Sequence, residues 1–153
     1  PVGERVAIES LFGLSGGERI VAISSFNKRK AEKNIVFFTK NGFVKKSELS
    51  EYNLKRSGSL KAINLDSNDE IASILFIDNE DVGIMTEFGN FIRITTKDIR
   101  PIGRIAKGIR GIKLNDGDAV CCAYPIKSDA QYIISVTSSG RSSIRKTIRY
   151  TSG

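Results

Sequence analysis

The sequence contains no histidine and no tryptophan, and only two cysteines, one methionine and three prolines among its 153 residues. Histidine is the usual general base and the commonest transition-metal ligand, so its absence argues against a Ser-His nucleophile pair and most metal enzymes. No apolar run approaches the roughly 18 residues of a membrane helix, and residues 1–10 lack the features of a signal peptide. We therefore expect a soluble cytoplasmic protein without catalytic residues, metal or cofactor.

The remaining candidate metal ligands are few. Cys121 and Cys122 are adjacent in an apolar stretch, where a mutual disulfide would be strained and a metal would lack further ligands. We interpret them as buried thiols in a strand. Asp116 and Asp118 flank Gly117, but the other ligands of a calcium loop are missing, and Asn-Asp-Gly predicts a hairpin turn.

The most unusual stretch is RPIGRIAKGIRG, residues 100–111, which holds four basic residues, three glycines and no carboxylate. A nucleotide-binding loop would need Gly-Lys followed by Ser or Thr and then a helix, whereas Lys107 precedes Gly108 and a predicted strand. The net charge of +7 and the pI near 9.6 indicate an anionic partner, with nucleic acid first and an anionic membrane surface second.

Internal repeats give the fold class. IVFFTKNGFVKK from Ile35, VGIMTEFGNFIR from Val82 and YIISVTSSGRSS from Tyr132 each place Thr three residues before Gly. ERIVAI, DEIASI and DAVCCA recur at a similar interval. Each repeat of about 50 residues supplies four short strand candidates separated by glycine turns, which is the length of a propeller-like blade.

We therefore predict an all-β, propeller-like array of about three four-stranded blades in a single domain. The approximate blades are residues 1–54, 55–103 and 104–153. The predicted strands begin with a spare strand at residues 4–11, continue from Ile20, and include residues 61–65.

Charge alternates with the same period. Residues 40–61 carry six basic and two acidic side chains, residues 62–90 none and seven, and residues 91–114 seven and one. Because equivalent positions of a blade array fall at equivalent places on its rim, we expect one continuous basic edge that tracks a polyanion, with glycines allowing close backbone approach. Such contacts are to phosphates and are largely blind to sequence, which favours duplex DNA bent along the rim.

The residues assigned to this DNA-binding rim are Lys45, Lys46, Lys55, Arg56, Lys61, Arg93, Lys97, Arg100, Arg104, Lys107, Arg110, Lys113, Arg141, Arg145 and Lys146. The third repeat departs from the pattern, because RSSIRKT follows Gly140 and shifts Arg145 and Lys146 relative to Lys45 and Lys46.

FFTKNGFVKKSELSEY, KAINLDSNDEI and DIRPIGRIAKGIRGIKLNDGDAV together resemble the C-terminal domain of the DNA gyrase A protein, and that of its paralogue in topoisomerase IV. The resemblance covers essentially the whole chain. It implies a β-pinwheel of about six blades, of which this chain is a three-blade fragment, whose blades exchange a strand and whose basic perimeter wraps duplex DNA for negative supercoiling.

The resemblance also implies that the chain is not an enzyme by itself. In this family the catalytic tyrosine lies in the N-terminal part of the gyrase A protein, and ATP and Mg are used elsewhere in an A2B2 holoenzyme. The resemblance implies that this holoenzyme lies in the bacterial cytoplasm, associated with the nucleoid. No membrane or small-molecule partner is implied. The Gln-Arg-Arg-Gly-Gly-Lys-Gly box of true gyrases is absent. Topoisomerase IV and a protein-interaction propeller therefore stay open as alternatives, although the missing Trp-Asp dipeptide argues against the latter.

Overall fold

A computed structural model describes residues 13–14, 18–23, 33–52, 60–127 and 132–146. They form short 3₁₀ helices at Leu49–Tyr52 and Thr96–Asp98 and nine strands: β1 Asn34–Thr39, β2 Phe43–Glu48, β3 Ile71–Phe76, β4 Asp81–Thr86, β5 Phe91–Thr95, β6 Ile109–Arg110, β7 Val120–Ile126, β8 Tyr132–Val136 and β9 Ser142–Lys146. The predicted all-β class is confirmed. Within these residues, no helix is long and apolar enough to cross a membrane.

The strands form three antiparallel sheets. The first has the order β3-β1-β2-β6, the second has the order β5-β4-β7, and the third is the hairpin β8-β9. In the first two sheets, the first strand of a hairpin also pairs with a strand that comes later in the chain, so that Phe37 lies opposite Ile74 and Ile84 lies opposite Ala123. Each of these sheets is therefore assembled across a repeat boundary.

The predicted blade boundaries differ from these sheets. The first sheet takes β1 and β2 from residues 1–54, β3 from residues 55–103 and β6 from residues 104–153. A sequence repeat gives the period of a blade array but neither its starting point nor the strand that closes each sheet. Residues 18–23 and 61–65 are not in strands, contrary to the prediction, and the spare strand at residues 4–11 lies outside the described residues.

The three Thr-x-x-Gly stretches form turns of one geometry. The amide of each glycine donates to the carbonyl of its threonine, over 3.0 Å for Gly42, 3.0 Å for Gly89 and 2.9 Å for Gly140. Each glycine has a positive φ, between 78° and 85°, which explains the glycine. The threonine hydroxyl accepts the amide of the residue after the turn in all three cases. The repeat found in the sequence is thus a repeated hairpin turn.

Acidic turns hold two of these hairpins in place. Asp69 Oδ1 accepts the amide of Asn41 over 3.0 Å, and Asp118 Oδ1 accepts the amide of Phe88 over 3.0 Å. Partial desolvation opposes ionisation of Asp118, but hydrogen bonds from Thr86, Phe88 and other groups outweigh it and lower its pKa. The predicted turn at Asn-Asp-Gly forms, since the amide of Asp118 donates to the carbonyl of Asn115 over 3.1 Å. It is not the predicted hairpin, because β6 and β7 on either side of it lie in different sheets. The carboxylate that accepts backbone amides is that of Asp118, the next residue. The described residues contain no cluster of three or more metal-ligating side chains.

The first sheet is covered on both faces. Because strand side chains alternate, Val36, Phe38 and Val44 face the second sheet and pack there with Val82 and Ile84. Ile35 and Phe37 face the other way, against Ile63 and the 3₁₀ helix Leu49–Tyr52. The central strands β1 and β2 are consequently buried on both sides along most of their length.

A β-bulge interrupts each of the first two sheets at the same point. Thr39 pairs with Ile71 while Phe38 pairs with Ser73, and Thr86 pairs with Val120 while Met85 pairs with Cys122. Cys121 is therefore the extra residue of the second bulge. It is exposed, and Cys122 is half-buried. The expectation of two buried thiols is therefore wrong, although both lie in a strand, because a bulge re-aims the side chains of its strand.

Candidate nucleic-acid interface

The basic segment, residues 97–113, runs along the outer edge of β2. Near its start, the amide of Ile102 donates to the carbonyl of Lys46 over 2.9 Å, and the Ser47 hydroxyl donates to the carbonyl of Ile102 over 2.7 Å. Further on, β6 pairs with the first two residues of β2, and the amide of Gly111 donates to the carbonyl of Gly42 over 2.9 Å. The basic segment therefore acts as the fourth strand of the first sheet.

Two glycines of the basic segment are required by this packing. Gly108 has φ 105°, and a Cβ there would lie 2.6 Å from the carbonyl oxygen of Val44. A Cβ on Gly111 would overlap the Val44 side chain. The close backbone approach that the sequence predicts is thus made to β2. Gly103 has no atom within 4 Å of its Cβ position.

Several basic side chains of the predicted rim are exposed and, within the described part of the chain, take part in no ion pair. Lys61 Nζ donates to Asn64 Oδ1 over 2.9 Å, and the guanidinium of Arg110 lies 5.0 Å from the Phe43 ring centroid. Exposed basic groups without a carboxylate partner are free to meet phosphates. The set is Lys61, Lys97, Arg100, Arg110 and Lys113.

Three other rim residues have partners inside the protein. Arg93 makes a 2.5 Å ion pair with Asp81, and Lys107 makes one of 2.5 Å with Asp66. The guanidinium of Arg104 donates to the carbonyl of Lys61. The charges of Arg93 and Lys107 are thereby neutralised locally, which leaves them less available to a polyanion.

Lys45 does not lie on the rim. Lys45 is fully buried. Its Nζ donates to the Tyr52 hydroxyl over 3.1 Å, to the carbonyl of Ala62 over 2.7 Å and to the carbonyl of Arg104. Burial lowers its pKa to about 8, with Glu51 opposing this shift and Arg104 adding to it. Lys45 thus ties the basic segment to the first sheet, and the prediction that it faces DNA is corrected.

Lys46 is buried on the opposite face of β2. Its exposed fraction is 4%, and its Nζ donates to the carbonyls of Asp78 and Thr96 over 3.1 and 3.0 Å. The rim assignment is corrected here too. Neighbouring strand residues point to opposite faces, and both faces of β2 are covered. The adjacency of Lys45 and Lys46 in a predicted strand is the sequence signal that could have shown the error, since two neighbouring strand residues cannot both face the same DNA.

The family model described as DNA gyrase C-terminal domain, beta-propeller, matches residues 33–78 and 81–120. This chain belongs to that family. The first matched unit contains β1, β2 and β3, which are three strands of one observed sheet. The resemblance stated from the sequence is confirmed, including its propeller-type fold.

Known members of the DNA gyrase C-terminal domain family give the scale of the match. The DNA gyrase A protein of Helicobacter pylori (strain ATCC 700392 / 26695) is 38% identical over 136 residues, covering 88% of this chain and 16% of that protein. The DNA gyrase A protein of Mycolicibacterium smegmatis (strain ATCC 700084 / mc(2)155) is 32% identical over 141 residues, with 90% and 16% covered. The chain thus spans about a sixth of the length of these curated relatives.

Two solved structures have the same fold. The C-terminal domain of DNA topoisomerase IV superposes with a TM-score of 0.81 at 26% identity, covering 92% of this chain and 44% of that one. The DNA gyrase A C-terminal domain superposes with a TM-score of 0.79 at 22% identity, covering 92% and 46%. The gyrase-family domain described here therefore corresponds to less than half of each solved chain.

The remaining rim candidates of this gyrase-family domain lie in the third repeat or outside the described residues. Arg141, Arg145 and Lys146 are exposed around β9. The threonine hydroxyl bonds align Arg141 with Phe43, so Arg145 lies two positions beyond the counterpart of Lys45, as the shifted sequence pattern predicts. Lys55 and Arg56 lie outside the described residues.

Proposed function

We propose that this chain binds and bends duplex DNA without reading its sequence, as the DNA-wrapping part of a DNA gyrase A protein. The observation that carries the proposal is the set of exposed cations in the basic segment that have no carboxylate partner among the described residues. The chain's membership of the gyrase C-terminal domain family supports the same proposal. A polyanion is the partner that such a surface fits.

The proposed DNA-facing set consists of the exposed rim residues. They are Lys61, Lys97, Arg100, Arg110, Lys113, Arg141, Arg145 and Lys146. Contacts from lysine and arginine to phosphates release counterions, so the logarithm of the affinity should fall linearly with the logarithm of the salt concentration, by about 0.9 for each phosphate neutralised. Bending is offset by the further contacts that it allows.

In the proposed setting, this chain positions DNA for a type II topoisomerase whose chemistry lies in other segments and polypeptides. DNA cleavage, ATP hydrolysis and Mg²⁺ binding belong there, and the chain itself works without a cofactor. Its partners are duplex DNA, the rest of the gyrase A protein and the gyrase B protein of an A2B2 assembly, in the bacterial cytoplasm at the nucleoid. Bent DNA would offer a neighbouring segment for strand passage with a fixed crossing sign.

The decisive experiment measures how affinity depends on the length of the DNA duplex and whether binding changes the linking number of circular DNA. Affinity for linear duplexes labelled at both ends is measured across a salt titration, and we expect affinity to rise with duplex length while the ends draw together. Closed circular DNA is then relaxed with a type I topoisomerase in the presence of the chain, and we expect a shifted linking number. Binding to straight DNA with no linking change contradicts wrapping, and absent binding contradicts the proposal as a whole and favours a protein-interaction propeller.

A second candidate is the equivalent domain of topoisomerase IV, which the superposition on the C-terminal domain of DNA topoisomerase IV supports. The circular-DNA experiment separates the two candidates. Bending with a linking change of constant sign favours the gyrase assignment, whereas tight, length-dependent binding without a linking change favours the topoisomerase IV assignment.

A further inference from the structure

The two thiols of β7 lie on one side of their strand. In a regular strand, the side chains of neighbours point to opposite faces, but the second bulge makes Cys121 an extra residue between the pairs Thr86–Val120 and Met85–Cys122. Cys121 Sγ lies 3.7 Å from Cys122 Sγ and 3.3 Å from the carbonyl oxygen of Met85, either of which can accept its one proton. The bulge thus brings together two sulfurs that a regular strand would separate.

The spacing of the sulfurs fits shared coordination and not a disulfide. Two sulfurs bound to one tetrahedral centre at about 2.3 Å, the usual zinc–sulfur distance, lie about 3.7–3.8 Å apart, and the observed separation is 3.7 Å. A disulfide between neighbours must span Cα atoms about 3.8 Å apart, which is shorter than the usual minimum of about 4.4 Å. Strand pairing on both sides of the bulge further fixes the backbone.

The site is open on the side of Cys121. That residue is exposed and, with Val120, lines an open cavity of about 200 Å³ whose wall also includes Glu70 and Glu87. A small ligand can therefore reach the Cys121 thiol without unfolding the sheet, and Cys122 Sγ lies 3.7 Å from that thiol. The first bulge carries Ala72 and Ser73 at the corresponding positions, so the arrangement of thiols belongs to the second repeat.

We propose that Cys121 and Cys122 form a two-sulfur chelate site for a soft, thiol-seeking metal or metalloid centre. A trivalent arsenical such as phenylarsine oxide satisfies both sulfurs at once: two arsenic–sulfur bonds replace the arsenic–oxygen double bond, both thiol protons leave with the oxygen as water, and nothing is oxidised or reduced. A divalent cation such as Cd²⁺ displaces two protons into solution and completes its coordination with water. The site does not depend on DNA binding.

The test uses phenylarsine oxide and Cd²⁺ as probes on the chain. Intact-mass spectrometry should show one arsenical per chain with loss of one water, and thiol titration after denaturation should show both cysteines blocked. Cys121→Ser and Cys122→Ser should each weaken arsenical binding by about 100-fold or more, because the second bond is then no longer intramolecular. Cd²⁺ binding should strengthen with pH, because the metal displaces the two thiol protons.

A matched control separates the bulge from mere adjacency. Ser135→Cys with Val136→Cys, made in a Cys121→Ser, Cys122→Ser background, places neighbouring thiols in β8, whose pairing with β9 is regular. Far-UV circular dichroism and the unfolding midpoint check the fold of each variant. The proposal is overturned if the wild-type chain binds neither probe, if a single-cysteine variant binds the arsenical as tightly, or if the β8 pair binds it equally well. Binding of the arsenical without Cd²⁺ assigns the site to metalloids, and binding of both extends it to cations.

Discussion

At the scale of single residues, Lys45 shows how a charge is held inside a small β-domain. An isolated ammonium group is costly to bury, but all three of its protons have acceptors here: the Tyr52 hydroxyl and the carbonyls of Ala62 and Arg104. The Phe37 ring centroid lies 5.1 Å away, within cation–π range. These acceptors come from three separate segments, so Lys45 fixes the position of the basic segment.

The lowered pKa of Lys45 predicts a pH dependence of stability. Its pKa is about 8 in the folded chain against 10.5 for an ordinary lysine, so the unfolded state binds more protons between these values and folding stability gains from rising pH. We expect the difference in unfolding free energy between the wild-type chain and Lys45→Met to shift in favour of wild type between pH 7 and pH 10. Urea unfolding at both pH values measures it, and a constant difference would contradict the prediction.

Gly108 supports a second residue-scale prediction. Gly108→Ala forces an alanine to adopt φ 105° and places its Cβ 2.6 Å from the Val44 carbonyl. We expect it to destabilise the chain by about 2 kcal/mol or more. Gly103→Ala, in the same segment with open space around it, should change stability by less than about 0.5 kcal/mol. Equal effects of the two substitutions in denaturant unfolding would show that Gly108 is not constrained by β2.

At the scale of elements, the sequence predicts the turns better than it predicts which strands pair with each other. The Thr-x-x-Gly turns are local, since glycine and the threonine hydroxyl act within five residues, and all three form. Strand pairing is not local: β1 takes β3 as its outer neighbour, and β2 takes β6 from more than 60 residues later. Apolar periodicity indicates that a strand is buried but carries no information about which distant segment pairs with it or covers it. The sequence therefore places Lys45 and Lys46 on the rim, because the segments that cover them lie far away in the chain.

The basic segment leads to a prediction about phosphate contacts. Arg100→Gln with Lys113→Gln removes two exposed charges that have no ion pair among the described residues. We expect weaker binding to duplex DNA and a salt slope smaller by about 2, because each phosphate that is no longer neutralised lowers the slope by about one unit. Fluorescence titrations between low and moderate salt measure the slope.

The matched control for the Arg100→Gln, Lys113→Gln variant removes the same net charge outside the basic segment. Arg19→Gln with Lys40→Gln takes away two cations that both pair with Glu70, at 3.1 and 2.9 Å, and should leave the salt slope nearly unchanged. If both double variants change the slope equally, binding follows net charge alone, and the basic segment is not the contact surface.

At the scale of the whole molecule, ion pairs determine which of the 24 basic residues remain available. Asp66, Glu70 and Asp81 each pair with a lysine or arginine near a turn or strand end. The basic residues left without such pairs in the described part of the chain include those of the basic segment other than Lys107 and those around β9. Charge counted along the sequence therefore overstates the rim in the first repeat, where Lys45 and Lys46 are internal.

If one DNA path joins the basic segment to β9, substitutions in β9 should weaken binding in a way that depends on duplex length. Arg141→Gln, Arg145→Gln and Lys146→Gln together should leave affinity for a duplex of about 10 base pairs nearly unchanged, because the basic segment alone can hold it. For duplexes of 40 base pairs or more, the same variant should bind more weakly and bring the labelled ends less close, since fewer phosphates are then held along the bend. Binding across duplex lengths with end-to-end energy transfer measures both effects. Equal weakening at every length would place β9 in the primary DNA-binding surface, and unchanged binding at every length would place it off the DNA path.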